Sequence, residues 1–379
     1  MREGTSHFKL SFYQLLEQIL VLVKLACRRF KLHVVLSLAG LNLEIKIREL
    51  IMSKTFLVSA ASLLLLLFTL FYFYLDRKLA QEIHPARFTC LESEDGGFSH
   101  ENIQYKNIYG IGLAYAKHIN ETASSFDPSL DPPVFRKHAL SLVKGDSNVT
   151  IPTQNDLLTT AEQLEPNIGK TLQDNDIKLL PLLDYEAELA FVLLESITAK
   201  DLKNPNFSPK IGFLVTNDLS ARSIAILGED QANRYDYWGA SKSYPGFTPV
   251  NGQVWVPNKY DPNGIPCVTL KTHVDGELRQ KENTRNLIYT PKDMLRFIQK
   301  KYASIPIEKG DVILTGTPGG VIFNVPRWKA RLGKFLGLDR FQKLAISQKQ
   351  SSAEKFLKAG NEVRISAEWL GAVSVTIVE

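Results

Sequence analysis

Apolar residues are spread along the 379-residue chain in two different ways. From Thr55 to Leu75 they form one block of 21 residues without a charge, closed by Lys54 on one side and by Asp76, Arg77 and Lys78 on the other. A helix rising about 1.5 Å per residue would carry this block across roughly 30 Å, the hydrocarbon thickness of a bilayer. Its aromatic end, Phe71 to Tyr74, suits an interfacial belt. The block reads as one N-terminal transmembrane helix, with a buried core helix and a cleaved signal peptide as alternatives; no small-x-small cleavage site follows it. Beyond it the pattern breaks into short apolar runs punctuated by Gly, Pro and polar residues. Strands are predicted over Leu182–Leu194, Ile211–Asn217, Gly252–Val256, Val268–Val274, Val312–Thr315, Glu362–Glu368 and Ala372–Val378. A helix is predicted over Pro291–Tyr302 with Thr290 as its N-cap, and a short strand runs into a helix between Ile108 and Ala123. Many short strands with few helices give an α+β or mostly-β roll and argue against a doubly wound sheet.

The chain therefore divides into a basic segment 1–54, the membrane helix 55–75, a linker 76–104 and a folded domain 105–379. Polar stretches near 155–178 and 324–355 read as insertions within that domain. Hydrophobic residues make up 44% and charged ones 22%, enough to bury a sizeable core. The net charge of +5 is concentrated before residue 55 and between Arg327 and Lys358, where nine Lys or Arg face only Asp339 and Glu354. That distribution suits an anionic membrane surface and excludes a nucleic-acid groove spread over one domain. In the second stretch Trp328, Leu332, Phe335 and Leu336 recur at helical spacing, so a basic amphipathic helix lying on lipid is one reading; packing on its own domain is the other. The basic N-terminus favours the cytoplasm for that end, yet Met52 is a second candidate start that would remove the asymmetry, so sidedness stays open. Cys27, Cys90 and Cys267 lack metal-like spacing and cannot all pair; neither a disulfide framework nor a zinc site is expected.

Three segments carry candidate chemistry. In Asp184-Tyr185-Glu186-Ala187-Glu188, alternation on a strand puts the acids on one face, where Glu186 and Glu188 stand about 7 Å apart and can converge on a hard cation. A half-exposed strand with solvated acids is the alternative. Asn217-Asp218-Leu219-Ser220-Ala221-Arg222 follows an apolar strand, and Asp218 is either a third oxygen ligand or a helix N-cap. Gly310-Asp311-Val312-Ile313-Leu314-Thr315-Gly316-Thr317-Pro318-Gly319-Gly320-Val321 is a strand opening into a turn. Its N–H groups and the Thr317 hydroxyl can cradle a carboxylate, unless the glycines serve only the dihedrals.

In this order and spacing the three segments resemble the signature of the fumarylacetoacetate hydrolase family. Gly112-Leu113-Ala114-Tyr115-Ala116-Lys117-His118-Ile119-Asn120-Glu121 is similar to that family's opening motif, Ala240-Ser241-Lys242-Ser243-Tyr244 to an internal one, and Phe356 to Val363 to its closing one. The resemblance covers about residues 105–379. It implies a mixed β-sandwich or β-roll that forms a homodimer, with Mg²⁺ (or Mn²⁺ or Ca²⁺) held by Glu186, Glu188 and Asp218. It also implies a catalytic dyad of His118 and Glu121 on a lid, Lys242 at the substrate oxygens, Thr317 at the substrate carboxylate, and Lys137 and Arg222 as further substrate contacts. The implied activity is hydrolysis of a C–C bond in a small 2-oxo or 1,3-dioxo carboxylic acid through a metal-stabilised enolate. Decarboxylation of a 3-oxo acid such as oxaloacetate, isomerisation, and a non-catalytic membrane-tethered binding role are the alternatives. The chain departs from the family pattern at Ala114, where Asn is usual, at Arg136, where an apolar residue is common, and at Ala225, which is Gln in some relatives. Asn120-Glu121-Thr122 is a glycosylation sequon inside the expected lid, an argument against a eukaryotic secretory route.

Overall fold

The run Ala187–Leu193 is apolar on both faces apart from Glu188, the pattern of a strand covered on both sides. In the computed structural model it is the middle of the fold. The structure describes residues 83–121, 130–325, 330, 333, 335–351 and 356–379. The first part of the chain supplies β1 (Thr89–Leu91), β2 (Gly96–Phe98), β3 (Ile108–Ile111), α1 (Ala116–Glu121), β4 (Val134–Lys137), β5 (Leu142–Lys144) and β6 (Ser147–Thr150). Two helices follow, α2 (Gln154–Leu164) and α3 (Ile168–Asp174). The central part holds β7 (Leu183–Asp184), β8 (Ala187–Leu193), α4 (Ala199–Lys203), β9 (Ile211–Asn217), β10 (Ser220–Ala221), α5 (Arg222–Leu227) and α6 (Arg234–Ser241). Next come β11 (Thr248–Val250), β12 (Trp255–Pro257), β13 (Gly264–Pro266), β14 (Thr269–Val274), β15 (Glu277–Asn283) and α7 (Pro291–Lys301). The chain closes with β16 (Val312–Leu314), α8 (Arg340–Ser351), β17 (Glu362–Ala367) and β18 (Gly371–Val378).

Two sheets dominate. Nine strands form one, with the path β2-β12-β9-β8-β16-β3-β4 and with β11 joining β9 to β5. The other runs β15-β14-β17-β18-β6. Alternation along β8 explains how the first sheet is buried twice. Leu189, Phe191 and Leu193 enter the large core shared with Val363, Ile365 and Val375 of the second sheet. Ala190 and Val192 enter a smaller cluster with Leu214, Val312 and Leu314. The expected α+β class holds, and α7 begins at Thr290, whose side chain accepts from Asp293 N in a capping box.

Several expectations are corrected. The strand expected over Leu182–Leu194 starts only after Leu182, which adopts φ +49°, and is broken at Tyr185 and Glu186, where Asp184 and Asn217 side chains take the backbone amides. Residues 83–104, expected as linker, belong to the folded unit that runs from Glu82 to Glu379: β1 pairs in parallel with β13, and β2 is the edge of the larger sheet. That pairing brings Cys90 beside Cys267, Cα to Cα 5.1 Å, and the two form a disulfide across 177 positions. Spacing along the chain could not reveal it, because the partner strands are far apart in sequence. The run 55–75, expected to span a membrane, lies outside the described residues; among those described, no helix is long and apolar enough to cross one.

The two insertions meet. Leu157 and Ala161 of α2 and Ile168 and Leu172 of α3 are buried, so the first is more than a surface excursion. Leu344 of α8 is fully buried in the same core. Arg340 forks Glu165 at 2.6 Å through both terminal nitrogens, and Lys343 pairs with Glu229 at 2.8 Å. These two basic residues of the second insertion are engaged by their own domain. The Tyr237 hydroxyl of α6 donates to the same Glu165 at 2.9 Å.

The bidentate Arg340 contact, reinforced by Tyr237 and only partly opposed by burial, holds the Glu165 carboxyl below the usual glutamate range. A folded-state value below the unfolded one means stability that is present above roughly pH 4.3 and lost as pH falls through the folded value. Glu165→Gln is expected to destabilise the domain by about 1–2 kcal/mol at pH 7, modest because the side chain is partly exposed. Denaturant titration of both proteins at pH 7 and pH 3.5 checks it: the gap should shrink on acidification, and a gap of equal size at both would reject the assignment.

Candidate active site

Three strand ends deliver the acidic residues to one place. Glu188 lies within β8, Glu186 in the break that precedes it, and Asp218 just past the end of β9. The break is held by the neighbouring strand: Asp218 N donates to the Glu186 carbonyl at 2.8 Å, and Glu186 N donates to the Asn217 side-chain oxygen at 3.0 Å. A ligand oxygen from each of Glu186, Glu188 and Asp218 lies within 4.8 Å of the others, and all three side chains are buried. Of the two readings open for these acids, convergence is the one observed.

Such a cluster needs positive charge close by. Lys242, at the C-terminal end of α6, reaches Glu186 at 2.8 Å and Asp218 at 2.7 Å. Lys137, at the end of β4, pairs with the other Asp218 oxygen and donates to the Phe247 carbonyl at 3.1 Å. Arg222, the first residue of α5, bridges Asp184 at 2.8 Å and Glu186 at 2.6 Å. Asp184 also accepts from Tyr185 N, Ile322 N and Phe323 N, so its role is to anchor Arg222 and the segment after the Thr317 turn. The described cluster thus holds four buried carboxylates (Asp184, Glu186, Glu188, Asp218) against three cations.

The protonation tendencies follow from this arrangement. Burial pushes Glu188 well above the usual carboxylate range, and the charges of Asp218 and Glu186 add to it. Burial acts the same way on Glu186, but Lys242 and Arg222 outweigh it and hold that carboxyl down at about 2. For Lys242 burial acts downward, and Asp218 and Glu186 overcome it, so the ammonium form is favoured. His118, on α1 and nearly buried, is held down at about 4 by burial and by Arg222 and Lys242 against the opposing Glu186; it is neutral near pH 7. Glu121 is the last residue of the same helix, and its side chain lies outside the described residues, as do residues 122–129.

The glycine turn splits its duties. Gly316 N donates to Glu188 at 2.7 Å, so that amide serves a carboxylate of the protein itself. Gly316 has φ +96°, and a Cβ there would stand 2.8 Å from the Ile111 carbonyl and from Ala114 Cβ, so glycine is required and the small Ala114 packs under the turn. Thr317 is buried, and its hydroxyl oxygen accepts from Gln280 at 3.0 Å. Asn217 and Gln280 were not singled out by sequence. Asn217 stands inside the recognised motif, where its neighbour drew the attention. Gln280 lies on a mostly exposed strand, where an amide gives no signal.

The donor set fits a hard divalent cation: three carboxylates from separate backbone positions, with no sulfur or imidazole in the convergent group. Glu186, Glu188 and Asp218 would hold it.

Comparison with known proteins places the chain in a family. The chain is 26% identical to the oxaloacetate tautomerase YisK of Bacillus subtilis over 269 residues, 71% of this chain and 68% of that one. It is 28% identical to a mitochondrial oxaloacetate decarboxylase of Dictyostelium discoideum over 217 residues, 57% of this chain and 83% of that one. Among solved structures, fumarylpyruvate hydrolase from Pseudomonas aeruginosa, in complex with Mn²⁺ and pyruvate, is 18% identical with a TM-score of 0.48, covering 76% of this chain and 99% of that one. Residues 107–378 match the sequence model of the fumarylacetoacetate (FAA) hydrolase C-terminal domain, and with well over half the chain matched, this protein belongs to the fumarylacetoacetate hydrolase family.

Proposed function

We propose that this protein is a metal-dependent hydrolase that cleaves a C–C bond in a 2-oxo or 1,3-dioxo carboxylic acid. The convergence of Glu186, Glu188 and Asp218 within 4.8 Å carries the reading. When bound there, Mg²⁺ or Mn²⁺ supplies Lewis acidity to the oxo group. The chain's own residues do the rest. Lys242, bonded to two of the three acids, presents its ammonium to the substrate oxygens, with Lys137 behind it. The Thr317 hydroxyl takes the substrate carboxylate. His118, neutral and largely withdrawn from solvent, accepts a proton from the attacking water and returns it to the carbon that departs, with Glu121 as its partner in the dyad. Arg222 holds Glu186 in place from the far side.

A second reading keeps every residue and drops the water: proton transfer at the carbon beside the oxo group, or loss of CO₂, from an acid such as oxaloacetate. Relatives named for oxaloacetate tautomerisation and decarboxylation favour it. We further propose that residues 55–75 anchor the domain to a membrane, on the strength of 21 consecutive uncharged positions with charged flanks.

Glu186→Ala is expected to lower Mn²⁺ affinity by at least about 100-fold, beyond the loss usual for residues that merely support a ligand, and to abolish turnover. Calorimetric titration of wild type and variant checks this, and equal affinity would remove Glu186 from the ligand set. Product analysis with acylpyruvates and oxaloacetate, with and without Mg²⁺, separates the reactions: pyruvate plus a second carboxylic acid marks hydrolysis, CO₂ marks decarboxylation, and a change in enol content alone marks tautomerisation. The full chain should stay with the membrane pellet after an alkaline carbonate wash. Release into the supernatant would refute the anchor.

A further inference from the structure

Gln280 is fully buried in the middle of β15, a strand whose other residues are exposed or only half-buried. All four hydrogen-bonding positions of its amide are used. Its oxygen accepts from Ala187 N at 3.0 Å and from the Thr272 hydroxyl at 2.7 Å. Its nitrogen donates to Thr317 Oγ1 at 3.0 Å and to the Pro318 carbonyl at 3.1 Å.

The sense of these bonds is fixed by chemistry. The backbone N–H of Ala187 can only donate and the carbonyl of Pro318 can only accept, so the amide has one permitted orientation. Thr317 Oγ1 must then receive a hydrogen from Gln280. Among the described residues, its own hydrogen finds only the Pro318 carbonyl at 3.5 Å, the outer limit of a hydrogen bond. An acceptor brought beside Thr317 is offered that hydrogen; a donor is not.

We infer that Gln280 is a positioning residue that sets Thr317 as a hydrogen-bond donor and so favours a carboxylate, the stronger acceptor, over a neutral acceptor at that end of the substrate. The same side chain grips Ala187, between Glu186 and Glu188, and therefore ties the carboxylate-binding turn to the strand that bears two of the three acids. This inference rests on the proposed function, since it deepens the role given there to Thr317.

The test uses pyruvate and pyruvamide as competitive inhibitors of the full-length, Mn²⁺-loaded protein; they share the oxo group and differ in the charged end. Gln280→Met keeps the length of the side chain and removes both polar atoms. It is expected to weaken pyruvate about tenfold, the worth of one hydrogen bond to a charged group, and pyruvamide only about threefold, because its neutral amide oxygen accepts the same hydrogen more weakly. In a Thr317→Val background the same substitution should leave the pyruvate constant unchanged, because the hydroxyl it orients is gone. Equal losses for both inhibitors, or additive losses in the double variant, would overturn the inference and make Gln280 a structural residue. So would failure of both Gln280→Met and Gln280→Glu to fold. Wild type that binds neither inhibitor overturns the proposed function itself, and that outcome is distinct from a wild type that discriminates while Gln280→Met still does.

Discussion

Burying three carboxylates within 4.8 Å of one another is the constraint on which the rest of this structure depends. Each charge loses water, and each repels the other two at short range, so the arrangement survives only where positive charge is supplied from several directions. Lys137, Lys242 and Arg222 supply it from β4, from the end of α6 and from the start of α5. Removing any one partner would leave a buried charge uncompensated, and with Asp184 counted the intact set has four carboxylates against three cations. A divalent cation with an anionic substrate is what such a deficit accommodates.

That constraint explains features that otherwise look incidental. The break in the chain at Tyr185 and Glu186 lets Glu186 turn toward Asp218 while Asp184 turns to Arg222 and the backbone of Ile322 and Phe323. The positive φ of Gly316 brings its amide to Glu188. The helix ending at Lys242 is held by two tyrosines that reach the first insertion: Tyr237 donates to Glu165, and Tyr244 donates to Thr160 at 3.0 Å. Arg340 of the second insertion grips the same Glu165. Departures from the family pattern thus brace the element that carries a cation of the site, a structural task that needs no lipid.

Much of this was legible in the chain. Ile211–Asn217 and the capped helix at Thr290 were given by apolar runs and a local capping signal, both short-range properties. Glu186, Glu188, Asp218 and Lys242, which the structure brings together, were legible because the recognised motifs are contiguous. Illegible were the contacts set by pairing over long distances. The Cys90–Cys267 disulfide depends on β1 lying beside β13, and Gln280 depends on a second-sheet strand reaching under the first. No periodicity encodes either. The strand break is illegible for a different reason: alternation predicts faces only while the strand ladder continues, and at Tyr185 and Glu186 the amides bond to the Asp184 and Asn217 side chains instead.

The charge cluster does not by itself choose among hydrolysis, tautomerisation and decarboxylation, since each develops negative charge on the same oxygens and is served by the same cations. Choice requires control of water and of a proton. His118 is the residue best placed for both, because burial keeps its imidazole neutral while Glu186, Arg222 and Lys242 are near enough to act on its charge. A neutral imidazole can serve as base toward water or toward an activated carbon acid, so the discriminating element is whether water reaches it. Relatives of this chain are named for different reactions, oxaloacetate tautomerisation and decarboxylation, so the reaction has to be argued from the water and the proton at the site rather than from the shared family.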